Sequence, residues 1–555
     1  MTSSSSPAAI SDREKRLALV ATILGSTVVT VDATVVNVAL PSIERELGGG
    51  LAGQQWTANA YTLALGALLL IGGSLGDLLG ERRVFSLGVS AFGVTSVLCA
   101  LAPSIELLVV ARALQGVAGA LLTPAALAVI VATFSPDERG RAVGTWLAWS
   151  GIGTVLGPLI GGQIVDSASW RWIFAINVPL VLVTLVLIAR FVPAGRGAAE
   201  RAHLDWRGAL LAAFGLAGPT FALIEQPVLG WESPAVIVPG LVGIALLAAF
   251  LLYERRAREP MLPLELFRRR NFAVGNLETF SMYAGLSMLF FFLVLYLQQV
   301  AGYSALEAGM ASVPVTIVMF LLSSRFGAFS DRVGPRVLLG AGPLVAAAGF
   351  GLLIRLGSDV DYATDLLPAL LLFALGLSMT VAPLTSTVLA GADERNAGIA
   401  SGVNNAIARV AGLIAVAGIG VLVAGRFSAS IEGSLGERPL SAPARMSLAE
   451  AQRQPLAPVD LEGVPAAERA PIARAVEDAS VSGFRLAMGT GAVLVALGGI
   501  LGAVGIRDPR HGRRVSAAEC PGGQLVGQPR DAARARGPAI AAPPATTVTM
   551  EDHAT

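Results

Sequence analysis

Cysteine, histidine, lysine and charge are all scarce in this chain, and each scarcity removes a class of function. Two cysteines in 555 residues, Cys99 in an apolar run and Cys520 near the end, give no disulfide framework. His203, His511 and His553 are too scattered for a metal site, so metal and redox chemistry are not expected. No GxxxxGK[ST] phosphate loop occurs, which argues against direct nucleotide-driven work. No cofactor is called for. Lys15 is the sole lysine, and a net charge of +1 gives no reason to expect nucleic acid as a partner. The loops offer no His, Cys or carboxylate cluster suited to an enzyme.

What the chain has is apolar residues, 54% against 14% charged, too many for a soluble chain of this length to hide in one core. Segments of about 20 apolar residues, each able to cross a hydrocarbon layer of ~30 Å, recur between short polar breaks. Fourteen are expected, near 17–40, 55–75, 84–102, 107–133, 142–165, 170–192, 208–226, 235–253, 272–297, 308–330, 337–356, 366–390, 397–424 and 484–506. The class is therefore an all-α polytopic membrane protein in contact with the lipid bilayer. Arg13, Lys15 and Arg16 precede the first segment, but its length and the spans that follow read as a retained helix rather than a signal peptide.

Arginines set the expected orientation, because positive residues in short loops stay in the cytoplasm. Arg255, Arg256, Arg258, Arg268, Arg269 and Arg270 crowd the loop between spans eight and nine, and Arg139 and Arg141 follow span four. Both termini are thus expected inside, with residues 1–16 a cytoplasmic lead and 507–555 a disordered cytoplasmic tail. Residues 425–482 then form an extracytoplasmic loop, within which 466–479 is expected to make a short amphipathic helix.

One internal echo gives the architecture. GSLGDLLGERR follows the second span and GAFSDRVGPR the tenth, placing Gly73, Asp77, Gly80 and Arg82 against Gly327, Asp331, Gly334 and Arg336. If the second span of each half carries this turn, the halves are two six-helix bundles, 17–192 and 272–506, with two inserted linker helices in 193–271.

Asp32 stands alone in the first apolar run, with no charged residue between Arg16 and Glu44. An ionised aspartate at mid-helix costs on the order of 2.5–3.5 kcal/mol on insertion, so it marks function by default. It lies eight residues, ~12 Å, below the outer end of its span at Leu40, while Arg112 lies ~8 Å below the same surface in span four. The two opposite charges fall at similar depth, and a change in their proximity would bind or release a proton. Glu278, six residues into the ninth span, is a second candidate for proton exchange, and Arg409 near the middle of span thirteen must face the interior or a wet cavity.

These residues fall into a set of motifs that resembles the major facilitator superfamily, and within it the fourteen-span drug:proton antiporters. VDATVVNVALP, Val31 to Pro41, resembles that family's first-span motif, with Asp32, Thr34, Asn37 and Pro41 in matching places. GSLGDLLGERR resembles the signature loop, although Leu78 and Glu81 stand where basic residues are usual; the second copy keeps Arg332 beside Asp331. ARALQGVAGA, Ala111 to Ala120, resembles the fourth-span motif through Arg112, Gln115, Gly116 and Gly119. GIGTVLGPLIGG, Gly151 to Gly162, resembles the fifth-span motif of antiporters, carried by Gly153, Gly157, Pro158, Gly161 and Gly162.

The resemblance implies a cell-membrane antiporter that exports lipophilic, cationic or antibiotic-like compounds in exchange for protons, working as a monomer. The alternatives are a proton-coupled uptake symporter and a non-transporting receptor. The duplicated Gly–Asp–Gly–Arg turns are expected to act as a cytoplasmic gate, with Asp77 and Asp331 at helix ends and near arginines. The glycines of span five are expected to let a neighbouring helix approach, with Pro158 bending the span. Asn37, Gln115, Trp149, Tyr283, Phe290 and Arg409 are the candidate residues for the substrate cavity.

Overall fold

Long apolar runs have one way to satisfy their backbone in lipid without a partner strand, which is the α-helix. The computed structural model describes residues 11–193, 205–257, 260–391, 397–436 and 438–508, and among them there are helices and no strand. The first six spans are Asp12–Leu47, Gly50–Leu79, Glu81–Ala100, Ile105–Thr133, Pro136–Ser167 and Asn177–Phe191, the last entered through a single turn, Trp172–Ala175. Spans seven and eight are Trp206–Leu229 and Pro234–Glu254. The last six are Arg270–Gln299, Val313–Val333, Pro335–Leu353, Leu367–Ala390, Ala397–Leu435 and Ala466–Gly505, with the short helix Ala305–Ala311 leading into the tenth.

Thirteen of these, among the described residues, are long and apolar enough to cross a membrane. The remaining one, Gly50–Leu79, has thirty residues and so a length of ~45 Å. Each expected segment therefore has its helix, in two six-helix bundles plus an inserted pair. That pair, spans seven and eight, packs on itself and leans on span two, where Trp56 Nε1 donates to Glu225 Oε1 at 2.8 Å.

Two boundaries differ from the sequence reading. The lead 1–16 is helical from Asp12, because Ser11 and Glu14 form a reciprocal capping box that starts the first span early. At the other end, Asp508 Oδ1 accepts from the Arg336 amide at 3.1 Å, so the chain is held two residues past the expected start of the tail; from residue 509 it lies outside the described residues.

The larger correction concerns 425–482. Residues 466–479 are not a separate helix but the first third of the 40-residue helix Ala466–Gly505, and span thirteen likewise runs on to Leu435. Between Ile472 and Ser482 there is no glycine or proline to interrupt the hydrogen-bond ladder, so the helix carries its polar extension away from the bundle. The two extensions and a third helix, Ala442–Arg453, enclose their own apolar cluster around Phe427, Ile431, Leu448, Ile472 and Val476. Leu456, which follows, is 1% exposed and belongs to the main core. The segment is docked, not loose. We call the end of the bundle that carries it the loop face, and the opposite end the terminal face.

The duplicated turn is present twice in the same form. Gly80 (φ 90°, ψ 136°) joins spans two and three, and Gly334 (φ 88°, ψ 148°) joins spans ten and eleven. Both sit in a left-handed region open to glycine and strained for other residues. Two residues on, Arg82 donates to the Ala189 carbonyl of span six at 2.8 Å, and Arg336 donates to the Ala503 carbonyl of span fourteen at 2.5 Å. Each half therefore ties its turn to the last helix of its own bundle.

Candidate functional site

The first span packs against spans four, five and six, and its single mid-helix carboxylate meets side chains from spans four and six. Asp32 is 0% exposed and Arg112 is 1% exposed. Arg112 Nη1 donates to Asp32 Oδ2 at 2.5 Å, and its Nε donates to the Thr57 carbonyl of span two at 3.1 Å. The other carboxylate oxygen, Oδ1, accepts from Gln115 Nε2 at 3.0 Å and from Asn177 Nδ2 at 3.1 Å. Both amides also donate to Ser96 Oγ, at 2.9 and 3.3 Å. Gln115 Oε1 in turn accepts from Arg112 Nη1 at 2.6 Å. The guanidinium lies 4.4 Å from the centre of the Tyr61 ring, which adds a cation–π contact on its remaining face.

This arrangement solves the problem set by burying an ion pair. Coulomb attraction alone does not offset the desolvation of two charges, but a buried pair whose remaining lone pairs and protons are hydrogen-bonded can persist. Every oxygen of Asp32 has a donor here. Asn177 Oδ1, by contrast, is buried without a hydrogen-bond partner among the described residues.

The expected meeting of Asp32 with Arg112 is what the structure displays. Gln115, named above among the cavity candidates, is 0% exposed and bonded to Asp32 within this cage. Three members of the cage were not foreseen. Asn177 had a signal, as a lone amide in an apolar span; Ser96 and Tyr61 had none that distinguishes them from packing residues.

Glu278 is also 0% exposed, and neither of its carboxylate oxygens has a hydrogen-bond partner among the described residues. It points to the back of its own half, where a Cβ on Gly502 would come 2.7 Å from Oε2 and would also crowd the Leu339 carbonyl. Glu278 and Asp32 are thus separate sites.

The glycines of span five pack as their spacing suggests. A Cβ at Gly153 would meet Thr30, one at Gly157 would meet Thr34 and the Val31 carbonyl, and one at Gly161 would meet Val35, so this row lies against span one. Gly162 instead faces Leu306, and Gly309 faces the Pro158 carbonyl, which places that end of the motif across the boundary between halves. Nearby, Asp166 accepts from the Ala305 and Leu306 amides at 3.0 and 2.8 Å, capping the short helix of the opposite half. Gln298 Nε2 donates to the Val38 carbonyl at 3.0 Å, and Gln55 Nε2 to the Val416 carbonyl at 2.6 Å. These bonds join the halves toward the loop face.

At the gate, the Asp77 side chain lies outside the described residues. Asp331 and Arg332 are exposed and make no hydrogen bond or ion pair among the described residues, and Gly73 and Gly327 sit inside helices against Pro124 and Ala382. Of the cavity candidates, Trp149 is 50% exposed, while Asn37, Tyr283, Phe290 and Arg409 are half-buried. Arg409 packs across the boundary onto span two, where a Cβ on Gly66 would come 3.4 Å from its own Cβ.

Comparison with known proteins agrees with this architecture. The family model described as Major Facilitator Superfamily matches residues 22–416. The puromycin resistance protein pur8 of Streptomyces alboniger is 40% identical over 72% of this chain and 80% of its own length. The tetracenomycin C resistance and export protein of Streptomyces glaucescens is 36% identical over 74% and 76%, and the cephamycin export protein CmcT of Amycolatopsis lactamdurans is 37% identical over 70% and 81%. Among solved structures, a bacterial homolog of the human lysosomal transporter Spinster, in an inward-facing and unoccupied conformation, superposes with a TM-score of 0.63 at 19% identity, covering 89% of this chain and 97% of that one. With its span pattern, its paired bundles and its family match, the chain belongs to the Major Facilitator Superfamily and is a multi-pass transporter of the cell membrane.

Proposed function

We propose that the protein exports lipophilic compounds in exchange for protons, with the Asp32–Arg112 pair as the coupling element. The observation that carries this is the caged carboxylate itself. It is buried, held by side chains from spans four and six, and placed where a small shift of one helix changes its donor set. The cage is the part of the structure that a movement between spans one, four and six would take apart. Alternating access then follows if substrate and proton prefer opposite arrangements.

Export, rather than uptake, is supported by the resistance and export names of the relatives and by the glycine row of span five against span one. With the arginine-rich terminal face in the cytoplasm, bonds between the halves near the loop face close the outer side, which is the arrangement that would receive cargo from within. Glu278 is a second proton-exchange group in this scheme. The Asp331 turn belongs to the gate, in its unlatched form.

The cationic preference expected from Asp32 receives no support from the cage, because a carboxylate with three donors and no exposure offers no counter-charge to cargo.

The test uses everted vesicles loaded with a pH-sensitive dye. An imposed proton gradient should drive accumulation of a fluorescent lipophilic substrate, and adding that substrate should speed dissipation of the gradient. Accumulation that is indifferent to a collapsed gradient would overturn the proposal.

A further inference from the structure

We infer that Arg409 is the recognition site for an acidic group on the exported compound, a carboxylate or phenolate, bound between the two halves. The inference deepens the export reading by naming a cargo class, and it rests on that reading only for the step of transport.

Arg409 lies on span thirteen, about 18 Å along the helix from Ala397 and so near mid-bilayer depth. Its side chain crosses from one half to the other, against Gly66 of span two. It makes no hydrogen bond and no ion pair among the described residues; the titratable groups that feel its charge are the phenols Tyr61 and Tyr283. Tyr283 comes from span nine, which is held to span thirteen one turn further on by the approach of Gly412 to Ser287.

Arg112 and Arg409 differ in what surrounds them. Two guanidiniums flank Tyr61, one stacked on its ring and the other across the boundary, and one carboxylate is present, fully engaged with Arg112. Of the other buried acids among the described residues, Glu44 and Glu254 sit near the ends of their helices, and Glu278 faces Gly502 and Leu339 at the back of its bundle. The centre of the protein therefore carries one more positive charge than negative. An intramembrane arginine without a partner is rare and costly, and a ligand anion would relieve that cost with charge-assisted, bidentate hydrogen bonds.

A second donor lies on the same boundary. Gln55 and Gly66 both touch span thirteen, and Asn59 shares their face of span two by helical spacing. Asn59 is 4% exposed, and its Nδ2 has no hydrogen-bond partner among the described residues. It stands ~10 Å from Gly66 along the helix, within the span of a polycyclic antibiotic. Two donors lacking acceptors, on opposing halves, describe a ligand rich in acceptors and negative charge.

Two dyes with the same three-ring skeleton separate the possibilities: fluorescein, an anion, and rhodamine 6G, a cation. Binding to the purified full-length protein is read by fluorescence polarisation, which does not depend on proton coupling. Fluorescein is expected to bind the wild type, Arg409→Gln to weaken it by about 10- to 100-fold, and Arg409→Lys to lose less. Rhodamine 6G binding should be unchanged or tighter in Arg409→Gln, which also certifies that the variant is folded. Equal loss of both dyes, or fluorescein binding indifferent to Arg409→Gln, overturns the inference. Vesicle uptake of the same dyes with and without a proton gradient tests the export reading separately: fluorescein that binds through Arg409 but is not accumulated would sink antiport and leave the anion site standing.

Discussion

Replacing Asp32 by Asn removes one charge and one acceptor from a site where three donors converge on two oxygens. The asparagine oxygen can face Arg112 or the amides of Gln115 and Asn177, but its NH₂ then confronts the other donors. Arg112, 1% exposed, is left without a counter-charge. Breaking a buried pair in this way costs about 3–5 kcal/mol, and Arg112→Met should cost a similar amount by stranding the carboxylate. The double variant Asp32→Asn, Arg112→Met leaves no lone charge, so its loss should be smaller than that of either single variant, which puts it short of the sum by at least ~3 kcal/mol. Thermal unfolding of the detergent-purified protein ranks the four forms, with both single variants expected below the double. Gradient-driven uptake should vanish in all three variants, since restoring charge balance does not restore a proton site. Strictly additive losses would show that the pair is not an energetic unit, and uptake persisting in the double variant would refute its role in coupling.

Glu278→Met should raise the unfolding midpoint, because removing a buried carboxyl with two unpartnered oxygens gains about 1–3 kcal/mol; uptake should fall, and unchanged uptake would remove Glu278 from the proton path. Gly157→Ala drives a methyl into Thr34 and should cost about 1–3 kcal/mol, and adding Thr34→Ala should recover part of the loss; no recovery would mean that span five does not rest on span one as described. Gly50, at φ +56°, lies against the Arg453 carbonyl, with a Cβ only 2.5 Å from that oxygen. Gly50→Ala should therefore loosen the docked segment and speed tryptic cleavage at Arg445 and Arg453, whereas an unchanged cleavage rate would count against docking at this point.

The sequence reading reached the Asp32–Arg112 pair because helical rise converts residue number into depth, and depth decides which charges can meet across a bilayer. Gln115 was within reach by the same logic, being three residues from Arg112 and so on its face of the helix. Periodicity says which residues share a face but not which neighbour that face meets. Ser96 and the partners of Asn177 were hidden for this reason, since only the order of helices in the bundle brings span six to span one and span three to spans four and six. The extent of the last helix was hidden for another. Hydropathy marks where a helix leaves the lipid, near residue 484, while the backbone stops only where a cap or breaker stops it, and the ladder runs back to Ala466. The duplicated turn was fully legible, because a left-handed glycine and an arginine two residues on are local features.

Arg82 and Arg336 give that turn a consequence for shape. Each fastens the start of its bundle's third helix to the far end of the sixth, so the helices of one bundle cannot fan apart at the terminal face. If the halves move as the proposed export requires, these two ties predict that each moves as a clamped block.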